Sequence, residues 1–229
     1  MKNNLFDLPK NPTIEIDGED AVFPINRIFC VGRNYEAHAI EMGNLVDRDA
    51  PFYFTKSLRS VAHGKETIKY PSGTNNYHHE IELAVYIGKT GHKIDTKDAG
   101  SHIYGFSCAL DMTRRDLQVI AKSKGRPWDL AKDVEESAVL GAITPAHRIE
   151  NFESKHIKLF RNGELVQSAI LSDMIHSTSE VIADLSQYYK LTEGDVILTG
   201  TPAGVGPVSL GDTLHATICG LVDLTVTLA

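Results

Sequence analysis

Residues 77–88, YHHEIELAVYIG, split cleanly by parity. One set is His79, Ile81, Leu83, Val85 and Ile87; the other is His78, Glu80, Glu82, Ala84 and Tyr86. Alternation with period two predicts a half-buried β-strand, one face on a core and the other polar. RIFCVG (27–32) is a short apolar run closed by Gly and reads as a buried strand. PFYFTK (51–56) and HIYGFSCALD (102–111) are further strand candidates. IKLFRNGELVQ (157–167) sets Asn162-Gly163 between two β-prone runs, the strongest short hairpin signal. EGDVIL (193–198) and LGDTLH (210–215) each place a Gly-Asp turn ahead of a strand.

Helical patterns are fewer. TRRDLQVIAKSKG predicts a helix with Thr113 as N-cap and Gly125 as stop. SEVIADLSQYYKL (179–191) predicts a second amphipathic helix capped by Ser179. NYEAHAIEMG (34–43) holds helix formers and stops at Gly43. Strands outnumber helices and do not alternate regularly with them, which disfavours doubly wound and TIM-barrel folds. The fold class expected is β-rich α+β. Residues 1–20 are polar and read as an arm or a short edge strand, and 21–229 as one domain without linker, low-complexity tract or periodic repeat.

Bulk properties narrow the function. The 229 residues bury enough surface to fold without disulfides or a structural metal, and the make-up, 42% hydrophobic and 23% charged, is that of a soluble globular chain. The net charge of −7 and the lack of a basic run argue against nucleic acid or an anionic membrane as partner. Cys30, Cys108 and Cys219 are widely spaced, each in an apolar stretch, which fits reduced, buried thiols. With neither a signal peptide nor a membrane-spanning run legible, a cytoplasmic protein is expected.

The acids are the first sign of chemistry. Glu80 and Glu82 share one strand face, with Cα atoms roughly 6.5–7 Å apart. Two like charges there repel unless a cation lies between them. An Arg or Lys would serve, and so would a hard divalent ion with oxygen ligands. Asp111 adds a third carboxylate at the end of an apolar strand, where it is either a site residue or a helix cap. Beyond it, Arg115 and Gln118 stand at i and i+3 on one helix face, which would grip an anion or simply be solvated. His38 and Glu41 are also i, i+3; a carboxylate beside an imidazole orients it and raises its basicity, as a general base requires, and the same spacing suits a surface pair. TGTPAGVGP (199–207) lacks the Lys-Ser/Thr of a phosphate loop and reads as a rigid binding loop or a turn.

CVGRNYEAHAIEMG, HHEIELAV, ALDMTRRDLQ, KGRPWDLAK and LTGTPAGVGP, taken together and in this order, resemble the fumarylacetoacetate hydrolase family, most closely its short acylpyruvate- and fumarylpyruvate-cleaving members. The resemblance runs from about residue 23 to the end of the chain. It implies a mixed β-sandwich roll with a few short helices, a homodimer, Mg²⁺ or Mn²⁺ as cofactor, and a 2-oxo acid as small-molecule partner. By motif position the metal ligands would be Glu80, Glu82 and Asp111. His38 and Glu41 match a water-activating pair on a mobile lid, Lys132 a stabiliser of the oxyanion, and Arg33, Arg115, Gln118 and Thr201 residues facing substrate. The implied reaction is hydrolysis of 2,4-dioxo acids to pyruvate and a carboxylic acid, with oxaloacetate decarboxylation or tautomerisation as the alternative at the same site. Two departures bear on the substrate: Lys56-Ser57 stands where the family often has Lys-Pro, and Asp133-Val134 follow Lys132 where it commonly has Ser or Ala, then Phe.

Overall fold

The computed structural model describes residues 5, 7–43, 45–64 and 67–229. Its centre is a mixed sheet of eight strands. Across it run Phe52–Lys56, Arg27–Gly32, Asp195–Leu198, Ile81–Ile87, Ile103–Asp111, Ala138–Leu140 and Val61–His63, with Thr144–Pro145 also paired to Ile103–Asp111. Asp195–Leu198 lies parallel to Arg27–Gly32, and Ala138–Leu140 parallel to Val61–His63; the other pairings in this sheet are antiparallel. A five-stranded sheet packs against it, in the order Glu164–Ile170, His156–Arg161, Thr213–Ile218, Leu224–Leu228 and Thr67–Ile68. The hairpin between the first two turns at Asn162 and Gly163, both at positive φ (52° and 84°), as the sequence predicts.

The alternation of residues 77–88 is preserved, but its meaning changes. Ile81, Leu83, Val85 and Ile87 join Ile157, Leu159, Leu214 and Val226 in one core between the two sheets. Ala84 and Tyr86 lie in a second core with Ile28, Cys30, Ala109, Val196 and Leu198. Ile14, Ile16, Phe23 and Ile25, from the segment that contains the short strands Thr13–Glu15 and Val22–Pro24, cover that second face. Every residue of Ile81–Ile87 is therefore buried, and the expectation of a half-buried strand is corrected. Period two reports which side chains share a face; it does not report whether another layer lies on that face.

Among the described residues, four short α-helices complete the fold: α1 (Glu36–Glu41), α2 (Arg115–Ser123), α3 (Asp129–Lys132) and α4 (Thr178–Tyr188). Two expected caps are corrected. Thr113 is not the N-cap of α2; it is a strand residue paired with His78, in a small sheet of Thr113–Arg114, Tyr77–His79 and Gly206–Pro207. In α4 the N-cap is Ser177, whose hydroxyl accepts from the Glu180 N–H while the Glu180 carboxylate accepts from the Ser177 N–H. That reciprocal bonding outweighs anything Ser179 offers two residues later. Cys30 and Cys108 are buried as expected, but Cys219 is exposed. Among the described residues, no helix is long and apolar enough to cross a membrane.

Candidate active site

Strand register assembles the acids. Ile81 pairs with Leu110 and Glu82 with Ala109, so Asp111 lies beside Glu80, and the Asp111 N–H donates to the Glu80 carbonyl (2.8 Å). All three carboxylates then point from the same end of two neighbouring strands. They are buried, and each offers an oxygen within 4.8 Å of the others.

Both neutralisers weighed for the acidic pair have a place here, on different members of it. Lys132, the last residue of α3, donates to Glu80 Oε2 and to Asp111 Oδ2, each at 2.6 Å. Arg115, the first residue of α2, donates from Nη2 to Glu80 Oε1 and from Nη1 to Gln118 Oε1 (2.5 Å). Lys56 pairs with Asp111 Oδ1 at 2.9 Å from the far side and donates to Ser137 Oγ (2.7 Å) and to the Lys132 carbonyl. Burial alone would raise the Glu80 carboxyl, but Lys132 and Arg115 overcome it and hold it well below the usual carboxylate range. Burial alone would lower the Lys132 ammonium, and Asp111 and Glu80 reverse that.

Glu82 is treated differently. Its Oε2 accepts one backbone bond, from the Gly200 N–H at 2.7 Å, and no ion pair involves it among the described residues. Burial, with Asp111 and Glu80 adding to it, pushes this carboxyl well above its ordinary value. A buried, under-neutralised carboxylate converging with two others calls for a cation, and an all-oxygen donor set suits a hard dication such as Mg²⁺ or Mn²⁺. The residues present fit the implied metal.

The loop after strand Asp195–Leu198 closes the site, and its glycines are required. Gly200 has φ +94°, and a side chain there would collide with Asn34 and the Val31 carbonyl. Gly204 has φ +96° and lies so close to the Val166 carbonyl that no Cβ fits. The Gly204 N–H donates to Glu41 Oε1 (3.0 Å), while Glu41 Oε2 lies 3.3 Å from His38 Nδ1. The loop thus anchors the carboxylate that orients the imidazole, leaving Nε2 as the free base nitrogen. His38 is 6% exposed, and burial keeps its pKa below the ordinary value although Glu80 and Glu41 pull it up.

Val31, Arg33, His38, Glu80, Glu82, Asp111, Arg115, Gln118, Lys132 and Thr201 line one pocket. Glu41 stands directly behind His38. The structure therefore brings together all ten residues singled out from the sequence. Sequence reading missed the supports. Gln167, 1% exposed, accepts from the Ile81 N–H (3.1 Å) and donates to Thr201 Oγ1 and the Pro202 carbonyl, both at 2.8 Å. Because Thr201 Oγ1 accepts there, its own proton is free to donate into the pocket. Asn34, fully buried, bonds the His176 and Thr199 carbonyls and the His176 N–H. His78 accepts from Arg115 Nε at 3.4 Å, and burial with Arg115 pushes its pKa down to about 4, so it serves as an acceptor. No short-range pattern marks Gln167 or Asn34; polar residues in buried segments were the available hint.

The two departures from the family pattern meet in space. Asp133 Oδ1 accepts from the Ser57 N–H (2.9 Å) and hydroxyl (2.8 Å). A proline at position 57 would have no N–H to give, so the two changes are mutually suited. They stitch together the segments that carry Lys56 and Lys132.

Gln167→Leu should orphan the buried Ile81 N–H and Pro202 carbonyl at about 1–3 kcal/mol each. The expected result is a melting temperature lower by several degrees and a weaker kcat, and thermal unfolding with steady-state assays checks it. An unchanged melting temperature would show that water replaces both bonds.

The fumarylacetoacetate (FAA) hydrolase C-terminal family model matches residues 27–229. A fumarylpyruvate hydrolase of Ralstonia sp. is 44% identical over 188 residues, covering 81% of this chain and 97% of the relative. The human mitochondrial oxaloacetate tautomerase FAHD1 is 41% identical over 198 residues, covering 86% and 89%. Among solved structures, the fumarylpyruvate hydrolase of Pseudomonas aeruginosa in complex with Mn²⁺ and pyruvate superposes with a TM-score of 0.96 at 40% identity, over 99% of both chains. The match to a family model across nearly the whole chain, on a mixed β-rich fold with three converging acids, establishes that this protein belongs to the fumarylacetoacetate hydrolase family.

Proposed function

We propose that the protein is a Mg²⁺- or Mn²⁺-dependent hydrolase that cleaves acylpyruvates, such as fumarylpyruvate or acetylpyruvate, into pyruvate and a carboxylic acid. The observation that carries the reading is the His38–Glu41 pair facing the acid cluster from the same pocket. Holding a metal needs no oriented base; activating water does. The similarity to a fumarylpyruvate hydrolase along nearly the whole of that relative supports it.

Charge balance supports it too. The formal charges of the three buried acids and of the buried Lys56, Lys132 and Arg115 balance, although the ion pairs reach only Glu80 and Asp111 among the described residues. A dication bound there leaves an excess that an anionic substrate cancels. The bound dication supplies Lewis-acid stabilisation of the charge that develops on the pyruvate portion. Arg115, Gln118 and Thr201 hold the 2-oxo acid end. His38 Nε2 takes a proton from water, and the hydroxide forms a bond to the C4 carbonyl carbon. Lys132 has two of its three N–H bonds on carboxylates, which leaves the third to donate to the developing oxyanion. The C3–C4 bond breaks with its electron pair on C3, and the imidazolium returns the proton there.

Oxaloacetate decarboxylation or tautomerisation at the same site is the second reading, favoured by the 41% identity to an oxaloacetate tautomerase. Turnover of acetylpyruvate, fumarylpyruvate and oxaloacetate with Mg²⁺ or with EDTA tests both; a protein that consumes only oxaloacetate would overturn the hydrolase. We also propose a cytoplasmic homodimer, which light scattering of the purified protein and cell fractionation would test.

The pH dependence follows from His38. Its burial-lowered pKa keeps the ring neutral at neutral pH, and activity falls as pH drops through that value. The acid limb of kcat/KM is therefore expected below the ordinary value of about 6.5. Glu41 raises the pKa, so Glu41→Gln should move the limb to lower pH while reducing kcat. A limb displaced upward would show that the titrating group is not His38.

A further inference from the structure

We propose that Arg33 and Lys122 form a second anion subsite at the pocket mouth, which takes the distal carboxylate of the substrate and selects dicarboxylic 2-oxo acids over those with an apolar end. The proposal rests on the 2-oxo acid reading above and assigns residues to the far end of that substrate.

Both cations line the same pocket as the acids, and neither has an anionic partner among the described residues. Each rests on an aromatic ring instead. The Arg33 guanidinium lies 5.9 Å from the centroid of Phe52, and Lys122 Nζ lies 4.9 Å from that of Trp128. Trp128 in turn packs against Phe52 (5.0 Å, edge to face) and Phe54 (5.8 Å). One aromatic wall therefore carries a cation on either flank, and Phe54 and Trp128 run from the inner acids to those cations. Such a wall matches an apolar chain segment that carries an anion at its end.

The two cations are also held close at some cost. Arg33 occupies the left-handed region (φ 59°), a conformation that disfavours any residue with a Cβ. It stays there because its neighbour Asn34 is bonded to three backbone groups on two other segments. Arg33 Nε is buried without a hydrogen-bond partner among the described residues. Burial first, then Arg33 and Arg115, together push the Lys122 pKa down to about 8. Two uncompensated like charges lining one pocket, one of them with a buried donor that lacks a partner among the described residues, are the expected form of an anion site before its ligand arrives. The inner cations differ, because Lys56, Lys132 and Arg115 are each paired with a carboxylate.

Binding of 2-oxoadipate and 2-oxohexanoate to the Mn²⁺-loaded protein tests this by calorimetry. The two ligands have equal length and differ only in the distal carboxylate. The wild type should prefer the diacid by about 10-fold or more, the worth of one charge-assisted hydrogen bond. Lys122→Met and Arg33→Met should each remove most of that preference, and Lys122→Arg should retain it. Oxalate, too short to reach the mouth, serves as the internal control. Equal affinity of the wild type for both long ligands overturns the subsite while leaving the hydrolase reading intact. So does an equal loss for oxalate and 2-oxoadipate in the variants, which marks a structural role. A protein that shows the diacid preference yet cleaves no acylpyruvate sustains the subsite and refutes the hydrolase.

Discussion

His38→Ala lowers kcat/KM for acylpyruvate cleavage by at least about 100-fold, the low end of what a lost general base costs. Three features make the loss large. The imidazole is buried, so bulk water cannot easily replace it as proton acceptor. Its Nδ1 faces Glu41, which fixes the ring with Nε2 free. Glu41 itself is held by the Gly204 N–H, so the base is pre-oriented by a rigid loop. The acid cluster is untouched by the substitution, because Glu80, Glu82 and Asp111 keep their own partners. Metal affinity should therefore stay near wild type, and calorimetry with Mn²⁺ checks that alongside turnover. Oxaloacetate decarboxylation, which needs no water nucleophile, should fall much less on the same preparation. Equal losses for both substrates would reassign His38 to protonating the three-carbon product or to holding α1 in place. Survival of acylpyruvate cleavage would end the hydrolytic mechanism.

Glu82→Gln abolishes metal binding and turnover while the fold persists. The amide keeps the shape, and its oxygen still accepts the Gly200 N–H, but the charge that a dication needs is gone. The effect on stability carries a sign that separates this from simple damage. The Glu82 carboxyl has a folded-state pKa raised by burial, then by Asp111 and Glu80. Its contribution to stability is thus complete below its unfolded value, about 4.3, and is lost as pH rises toward the folded value. In the metal-free wild type that loss is felt at neutral pH; the Gln variant, neutral throughout, escapes it. The metal-free variant should melt no lower than metal-free wild type at pH 7, and the difference should shrink toward pH 4. Added Mg²⁺ should raise the melting temperature of the wild type only. A variant that binds Mg²⁺ with wild-type affinity would refute the assignment of Glu82 as a ligand.

The segment with α1 and residues 45–50 carries a further consequence of these contacts. The Gly204 N–H, shared between Glu41 Oε1 and Oε2, ties the end of α1 to the loop that borders the pocket. Its sequence reads as a lid because Gly43 ends the helix and acids crowd the turn beyond; Asn44 lies outside the described residues. One N–H shared by a single carboxylate is a modest restraint on that helix end.

The sequence by itself determined which side chains share a strand face, where the chain turns, and which residue types stand at those positions. Parity set Glu80 and Glu82 on one face, Asn162-Gly163 set the hairpin, and the i, i+3 spacing set His38 beside Glu41 and Arg115 beside Gln118. These are consequences of local geometry, since a strand repeats every two residues and a helix every 3.6. Five short blocks in order were enough to point to the family. Only the tertiary structure decided what each face meets. It placed a second core against the face that the sequence marked as polar, moved Thr113 from a cap into a strand, and left Cys219 exposed. It also decided that Lys132, 52 residues from Glu80, sits on that acid while Glu82 keeps no cation of its own. It brought Gln167 and Thr201 together across 34 residues, and matched Ser57 with Asp133 across 76. No periodicity encodes such meetings. They depend on how sheets stack and which strands pair, and those choices are settled by burial summed over the whole chain rather than by any short stretch of it.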